Sequence, residues 1–172
     1  MIFVEMELVF KNALNSLLSL SEYQMTRRTI EIPNAFQFET SYRVVYSDIN
    51  AAKHLAADRL LPIALEAQFR FIKSLGYKDA IIFEDAGLIM VHSETEYKSE
   101  SFHDDELKVE MSVESLDGKK MELIFLVSNT RTGLETARIR VSHLFFDYEA
   151  QKVSDAPQGF KDRLNKTYGI SF

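Results

Sequence analysis

The chain contains no cysteine among its 172 residues. Without thiols it has no disulfide framework, no thiolate nucleophile and no cysteine-ligated zinc or iron–sulfur centre. This absence is typical of proteins that fold in a reducing compartment, so we expect a cytoplasmic location.

Long basic runs and long apolar runs are also missing. No run of Lys and Arg exceeds two residues and the formal net charge is -6, whereas a nucleic-acid binder or a polybasic membrane binder presents clustered positive charge. No uninterrupted apolar stretch is long enough to cross a bilayer. The segment Met1–Leu20 lacks the basic start and the cleavage site of a signal peptide. We therefore expect a soluble protein with no nucleic-acid partner and no membrane insertion.

What the chain does have is a large apolar complement, enough for one domain with a real core. Hydrophobic residues make up 46% of it, including 13 Phe and 7 Tyr. Apolar residues between Val9 and Leu18 recur at helical spacing, so residues 1–35 are interpreted as an N-terminal extension that is helical or partly disordered. Residues 36–172 are predicted to form the main domain, because Ile32-Pro33-Asn34 breaks the pattern just before them.

A strand and then one long, unusually apolar helix open this domain. Phe38–Tyr46 alternates as a strand. The helix is expected to begin close to Asp58, to tolerate Pro62 in its first turn and to run to about Leu75, where Gly76 ends it. Apolar residues cover more than half of its circumference, and such a helix is surrounded by other structure rather than laid on a surface.

Four further strands follow the helix. The alternation predicts them at Gly87–Tyr97, Glu106–Leu116, Lys120–Thr130 and Glu135–Tyr148, and a short amphipathic helix closes the chain. An antiparallel sheet of this kind buries one face by curling around the only helix available. The predicted fold class is therefore α+β: a hot-dog fold, in which a curved five-stranded antiparallel sheet wraps around one long central helix. The N-terminal helical segment and the short C-terminal helix are additions to it.

Polar side chains with catalytic potential concentrate between the first strand and the helix. The stretch Tyr46–Leu55 carries Asp48, Asn50 and His54. Free backbone N–H groups and the helix dipole at a helix N-terminus can polarise a carbonyl group. This loop is therefore the first candidate for an active site.

Several short matches, all in one order from Phe36 to Leu164, carry a resemblance to a known family. They are Tyr46-Ser47-Asp48-Ile49-Asn50 with His54, Glu66-Ala67, Gly87-Leu88-Ile89-Met90, Tyr97-Lys98-Ser99, Asp104-Asp105-Glu106-Leu107 and Phe145-Phe146-Asp147-Tyr148. On these residues the chain resembles the 4-hydroxybenzoyl-CoA thioesterase-like branch of the hot-dog thioesterase superfamily. The resemblance implies an acyl-CoA thioesterase that forms a homodimer or a dimer of dimers, with the acyl-CoA site at the subunit interface. It implies no metal and no cofactor, since CoA enters only as part of the substrate.

The Asp-x-Asp-x-x-Gly-His motif of that family is only partly matched. Asp48 matches the first acid and His54 the histidine, but Asn50 stands where many relatives carry the catalytic carboxylate. Lys53 occupies the glycine position, and Ala56-Ala57 replaces the usual asparagine. An amide is no general base at neutral pH, so the base for thioester hydrolysis has to come from elsewhere.

Asp48, Asn50, His54 and Glu66 are the predicted catalytic residues. Asn50 and His54 can donate hydrogen bonds or orient the substrate, and backbone N–H groups from Lys53 to Ala57 would add oxyanion-type donors. Glu66 is the first candidate for the base, since some hot-dog thioesterases use a helix glutamate. Asp48 is the second candidate.

Each of these two carboxylates has a structural alternative. Glu66 could instead form an i,i+4 ion pair with Arg70. Asp48 could brace the loop by accepting backbone N–H groups, which is the reading we favour.

Lys98 and Ser99 end a strand where the phosphates of CoA could be met, and they are the predicted CoA-binding residues. The remaining histidines are given structural roles. His92 and His143 lie in strands, and His103 in an acidic turn is more typical of a solvated loop than of a metal site. No metal site is predicted.

Other interpretations are left open. A non-catalytic hot-dog protein could bind an acyl thioester or a partner protein without turnover, an idea motivated by Asn50, Ala56 and Ala57. A cystatin-like or NTF2-like domain that binds a small ligand has similar element content. A hot-dog dehydratase is less favoured, because its glycine-rich helix start is missing here.

Overall fold

A computed structural model describes residues 29–172, which form one curved antiparallel sheet and two helices. The long strands are β1 (Phe38–Arg43), β3 (Ala86–Tyr97), β4 (Glu106–Asp117), β5 (Lys120–Asn129) and β6 (Glu135–Asp147). Two strands of two residues each, β2 (Ile82–Phe83) and β7 (Lys152–Val153), complete the sheet. The helices are α1 (Leu60–Ser74) and α2 (Gln158–Tyr168).

The strands pair in the order β1-β4-β5-β6-β3-β2, with β7 on β6, and every pairing is antiparallel. The five long strands, the central helix and the C-terminal helix all lie where the sequence pattern predicts them. The hot-dog fold is confirmed.

The structure departs from the sequence expectation at the ends of elements. β1 ends at Arg43 rather than at Tyr46, because Tyr46–Asp48 forms a 3-10 turn. The short strands β2 and β7 are additional, since two residues are too few to show an alternating pattern. The predicted N-terminal helix lies outside the described residues and stays a prediction, and residues 29–35 at the end of that extension form neither helix nor strand.

Helix α1 packs on the sheet through a face of small and aromatic side chains. Ala64, Ala67 and Phe71 on this face are completely buried. The alanines let the helix approach the strands closely. Phe71 fills the remaining space against Phe38, edge-on with ring centroids 5.8 Å apart, and stacks on Tyr168 of α2 at 5.4 Å. Burying a large apolar side chain stabilises a fold by about 1.5–3 kcal/mol, so this packing fixes the helix and the loop that precedes it.

The segment before β1 lies across the outer face of the sheet. Ile30 is completely buried, its N–H donates to a carboxylate oxygen of Glu96 on β3 at 2.6 Å, and its carbonyl oxygen accepts a bond from Arg138 on β6 at 3.1 Å. Part of the predicted extension therefore packs on the domain.

Strand β3 has a free edge over most of its length. Within residues 29–172, β2 pairs only with Ala86 and Gly87, and the rest of β3 contacts β6 on one side and no strand on the other. The register shifts between Met90 and His92, and Met90 and Val91 are exposed.

Neither described helix is both long and apolar enough to cross a membrane.

Candidate active site

Asp48 braces the loop between β1 and α1. Its buried carboxylate accepts the hydroxyl of Tyr42 at 2.8 Å and the N–H of Val45 at 3.0 Å, and its carbonyl oxygen accepts the N–H of Ala56 at 2.8 Å. Burial, together with the bond to Asp48, raises the pKa of Tyr42 to about 12, so this phenol stays a donor at neutral pH. The geometry matches the loop-bracing alternative for Asp48.

The turn before His54 has a left-handed backbone. Lys53 has a φ of 68°, a conformation that costs a residue with a Cβ about 1–2 kcal/mol. The N–H of Lys53 donates to the carbonyl oxygen of Asn50 at 2.9 Å. The N–H of Asn50 donates to the carbonyl oxygen of His54 at 3.0 Å. The family motif has glycine at Lys53, and the positive φ is the physical reason for a glycine there.

His54 is the centre of the candidate site, with its side chain 30% exposed. Its Nδ1 lies 3.2 Å from the carbonyl oxygen of Leu55 and 3.4 Å from the side-chain nitrogen of Asn50. The carboxamide of Asn50 is itself oriented, because its oxygen accepts the N–H of Ala52 at 2.9 Å. On the other side of the ring, Nε2 lies 4.0 Å from a carboxylate oxygen of Glu100.

His54 faces a cavity of about 320 Å³. Three parts of the chain form the wall, namely the loop before α1, the start of that helix and the segment that follows β3. The lining residues are Asn50, His54, Leu55, Ala57, Leu60, Tyr97, Lys98, Ser99, Glu100, Ser101 and Thr136. The cavity therefore joins Asn50 and His54 to Lys98 and Ser99, four of the six residues predicted for the site.

The segment after β3 is tied firmly to its surroundings. The N–H of Lys98 donates to the carbonyl oxygen of Thr136 at 2.9 Å. The hydroxyl of Ser99 donates to the carbonyl oxygen of Glu135 at 2.6 Å. The carbonyl oxygen of Ser101 accepts the N–H of Leu55 at 2.7 Å. The last bond links this segment directly to the residue after His54, so the two walls of the cavity are held at a fixed separation.

A buried polar network stabilises the part of the cavity wall that contains Ser101. Asp105 is 6% exposed, and its carboxylate accepts bonds from the N–H of Phe102 at 2.8 Å, from Asn129 at 2.7 Å and from Arg131 at 2.7 Å. Burial alone would raise the pKa of Asp105, but these three donors outweigh it and hold that pKa below its usual range. Asn129 in turn lies 3.5 Å from the hydroxyl of Ser101 in the cavity wall.

Backbone N–H groups near His54 are only partly available as donors. Those of Lys53, Leu55 and Ala56 are bonded to carbonyl oxygens within the protein. Within the part of the chain that the structure describes, the N–H groups of His54 and Ala57 have no such acceptor. Ala57 begins the helical turn that leads into α1 and lines the cavity, so its N–H can meet a ligand oxygen.

Glu66 and Asp48 lie outside the His54 cavity of this chain. Both line a second cavity of about 380 Å³ with Tyr42, Arg59 and Arg70. Glu66 forms the i,i+4 ion pair with Arg70 at 2.8 Å, and Arg70 also donates to the hydroxyl of Thr40 and to the carbonyl oxygen of Ser41, each at 2.9 Å. The structure therefore does not bring either carboxylate into the His54 cavity of the same chain. Their catalytic roles stay predictions.

Lys98 reaches the cavity with a partner already in place. Its ammonium group lies 2.6 Å from a carboxylate oxygen of Glu96, which is 6% exposed. Burial would raise the pKa of Glu96, but Lys98, the N–H of Ile30 and Arg138 together lower it. The predicted contact of Lys98 with CoA phosphates stays a prediction, and it would have to compete with this ion pair.

Glu100 is a cavity residue that the sequence interpretation missed. It directly follows Tyr97-Lys98-Ser99, the strand end already assigned to CoA binding. Its proximity to His54 is a long-range contact that no local pattern reports. The polar wall formed by Ser101 and Thr136, whose hydroxyl oxygens lie 3.0 Å apart, was missed for the same reason.

The remaining histidines lie outside this cavity. His143 is 2% exposed, and burial lowers its pKa to about 4, so it is neutral inside the sheet, as a structural histidine should be. His92 and His103 are exposed. Among residues 29–172 there is no cluster of three or more His, Asp or Glu side chains that could hold a metal ion.

Comparison with known proteins identifies the family that this chain matches. The family model of the thioesterase-like superfamily matches residues 44–164 of this chain. The chain is similar to a 1,4-dihydroxy-2-naphthoyl-CoA hydrolase of Synechococcus elongatus, with 26% identity over 135 residues that cover 77% of this chain and 96% of that protein.

Solved structures share the fold. A Staphylococcus aureus protein in complex with CoA superposes with a TM-score of 0.69 at 16% identity, covering 84% of this chain and 90% of that one. A gentisyl-coenzyme A thioesterase superposes with a TM-score of 0.64 at 18% identity, covering 72% of this chain and 98% of that one. Since the family match spans well over half of the sequence, this chain belongs to the thioesterase-like superfamily.

Proposed function

We propose that this protein is an acyl-CoA thioesterase that hydrolyses a thioester to a carboxylic acid and free CoA. One observation carries the proposal: a single cavity joins His54 and Asn50 to the N-terminus of α1 and to the Lys98–Ser101 segment. The family match removes the cystatin-like and NTF2-like alternative.

The donors around the cavity suit the charge that develops during hydrolysis. When water adds to the thioester carbon, negative charge moves onto the carbonyl oxygen. The N–H of Ala57 and an Nε2–H of His54 would stabilise that charge, and removing one donor of this kind costs an enzyme about 100–1,000-fold in kcat. The C–S bond then breaks, and the proton lost by water passes to the thiolate of CoA.

Names of similar proteins favour an aromatic acyl group. Two of those proteins are named for naphthoyl-CoA and gentisyl-CoA, and a third was solved with CoA. The His54 cavity, at about 320 Å³, lies at the small end of the range of roughly 300–1,000 Å³ that ligand sites occupy. That size suits a ring better than a long alkyl chain, so we propose aryl-CoA thioesters as the substrate class. Lys98 and Ser99 are proposed to contact the CoA phosphates.

A second copy of the chain would complete the site. The free edge of β3 carries Met90 and Val91, which are 44% and 52% exposed, and Tyr97 at its end lines the cavity. An apolar edge strand is a template for pairing with another chain. Antiparallel pairing of two β3 edges would join both sheets and place the partner beside the cavity mouth. We propose a homodimer or a dimer of dimers built on this edge, with no metal or other cofactor.

The test is release of free thiol from a panel of aromatic, short, medium and long acyl-CoAs. We expect turnover on an aryl-CoA and a loss of about 100-fold in kcat in His54→Ala. His103→Ala, which removes an exposed imidazole outside the cavity, is the matched control and should keep full activity. No thiol release above background with any substrate would contradict the proposal.

A second candidate function is a non-catalytic protein that binds an acyl thioester. It is favoured by one observation: Asn50, where many relatives carry a carboxylate, is hydrogen-bonded to Ala52 and faces His54 as an amide. Calorimetric binding of acyl-CoA without thiol release would support it. In that case Asn50→Asp, which restores the missing carboxylate, should create measurable turnover.

A further inference from the structure

We infer that Glu100 is the general base of this site and activates the water that attacks the thioester carbon. The inference rests on the proposed thioesterase function. It assigns to a residue after β3 the task that the carboxylate at the Asn50 position performs in many relatives.

Position is the first argument. Of the described residues that line the His54 cavity, Glu100 is the one with a carboxylate. Its Oε1 lies 4.0 Å from Nε2 of His54, which is too long for a direct hydrogen bond. One water molecule can bridge two polar atoms at this spacing. Such a water would lie within reach of both side chains, where an acyl carbonyl could meet it.

Rigidity is the second argument. Ser99 is bonded through its hydroxyl to the carbonyl oxygen of Glu135, and the carbonyl oxygen of Ser101 accepts the N–H of Leu55. Glu100 stands between these two anchored residues, so its backbone has a fixed distance to the His54 loop. A backbone held in this way presents the Glu100 side chain, which is 66% exposed, at a fixed place beside the cavity.

The imidazole of His54 is set up as a donor. Nδ1 of His54 has two neighbours with opposite preferences, since the carbonyl oxygen of Leu55 at 3.2 Å can only accept a hydrogen bond and the side-chain nitrogen of Asn50 at 3.4 Å can only donate one. A carboxylate facing Nε2 favours a proton on that nitrogen. With a proton on Nε2, His54 can stabilise the oxyanion but cannot take a proton from water at that nitrogen. That leaves proton abstraction to Glu100.

The surrounding charges leave the Glu100 carboxylate free. The other titratable groups that line the cavity are His54, Tyr97 and Lys98. Lys98 is paired with Glu96 at 2.6 Å, and no ion pair joins it to Glu100 in the region that the structure covers. The two carboxylates first considered for the base, Asp48 and Glu66, line the other cavity.

The step balances without any further reactant. Water forms a C–O bond to the thioester carbon while Glu100 takes one of its protons, and the carbonyl electrons move to the oxygen that faces His54 and Ala57. When the tetrahedral intermediate collapses, the C–S bond breaks and protonated Glu100 gives its proton to the leaving thiolate. The products are the carboxylic acid and CoA thiol, and Glu100 is a carboxylate again.

The test compares Glu100→Gln with the matched control Glu106→Gln, which removes an exposed carboxylate that forms no hydrogen bond or ion pair within residues 29–172. General-base catalysis contributes about 100–10,000-fold, so Glu100→Gln should lower kcat at least 100-fold with KM within threefold of the parent. Glu106→Gln should keep the parental kcat.

A rescue experiment separates a chemical role from a structural one. Added formate should raise the kcat of Glu100→Ala at least tenfold, because a small carboxylate can occupy the space that the side chain leaves. A Glu100→Gln variant with kcat within threefold of an active parent overturns the assignment while the thioesterase function stands. So does a Glu100→Ala variant that formate leaves unchanged. If the parent itself releases no thiol, the proposed function fails and this assignment fails with it.

Discussion

The N–H of Leu55 donates to the carbonyl oxygen of Ser101 at 2.7 Å. Each residue stands beside one of the two side chains that face each other across the cavity, His54 and Glu100. A single backbone bond therefore sets the spacing between the predicted donor and the inferred base. Backbone bonds of this kind are buried and rigid, and they hold catalytic groups better than contacts between long side chains do.

Relief of backbone strain at Lys53 should stabilise the protein. Its φ of 68° is costly for lysine and free for glycine, while glycine adds entropy to the unfolded chain. We expect Lys53→Gly to raise the free energy of unfolding by about 0.5–1 kcal/mol, as measured by denaturant titration. Lys78→Gly, at an exposed loop residue without a positive φ, is the control and should lower it.

The Asp105 network should contribute stability that depends on pH. Asp105→Asn removes a charged acceptor from the Phe102 N–H, Asn129 and Arg131, and bonds to a charged group are worth about 1.5–3 kcal/mol each. Arg131 is 64% exposed and can return to water, so we expect a loss of roughly 2 kcal/mol at pH 7. Urea titrations of both proteins measure this difference.

The sign of the pH effect follows from the lowered pKa of Asp105. The stabilisation by Asp105 is fully present above the pKa of about 3.9 that an aspartate has in the unfolded chain. It is lost as the pH falls through the lower pKa of Asp105 in the folded protein. The gap between the parent and Asp105→Asn should therefore be constant near neutrality and narrow below about pH 4. Asp104→Asn, at the exposed neighbour, should show a smaller loss at pH 7. A gap that widened in acid would contradict this account.

Glu66 provides a direct comparison with Glu100. The family resemblance ranks Glu66 first as the base, whereas the structure pairs it with Arg70 outside the His54 cavity. From the geometry we expect Glu66→Gln to keep kcat within threefold and to lose only about 0.2–0.5 kcal/mol of stability. Steady-state kinetics on the best substrate of the panel decide the matter. Loss of turnover in Glu66→Gln with normal turnover in Glu100→Gln would reverse the ranking.

Charge placed on the β3 edge should separate the proposed dimer. Val91 is 52% exposed at the irregular point of this edge, and a lysine there would disfavour pairing with a second copy. We expect Val91→Lys to sediment as a monomer and to lose turnover at the same protein concentration. Leu134→Lys, at a 58% exposed residue in the turn between β5 and β6, should leave the assembly intact. A monomeric parent would remove the dimer from the proposal.

Local patterns predicted what depends on neighbouring residues. The apolar spacing of α1 and the alternation of the long strands reflect periods of 3.6 and 2 residues, which are written into consecutive positions. The ion pair of Glu96 with Lys98, the residue directly after β3, was also within reach of such a pattern, because residues two apart in an extended chain share a face.

The side of the helix on which Glu66 lies illustrates what local patterns leave out. The sequence shows Glu66 and Arg70 on one polar stripe, but it does not show whether that stripe faces the His54 loop or β1. The bonds of Arg70 to Thr40 and Ser41 fix the stripe against β1. Only the packing of the helix on the sheet decides this, since rotation about the helix axis leaves the sequence pattern unchanged.

By itself, the sequence determined a curved sheet around one apolar helix, a polar loop at their junction and membership of a thioesterase-like family. Tertiary structure alone decided that Glu100 faces His54, that Asp48 and Glu66 do not, and that the β3 edge is left unpaired within the described chain. The physical reason is range. Periodicity and turn chemistry act over a few residues, whereas the cavity is assembled by strand pairing and buried hydrogen bonds between segments far apart in the chain.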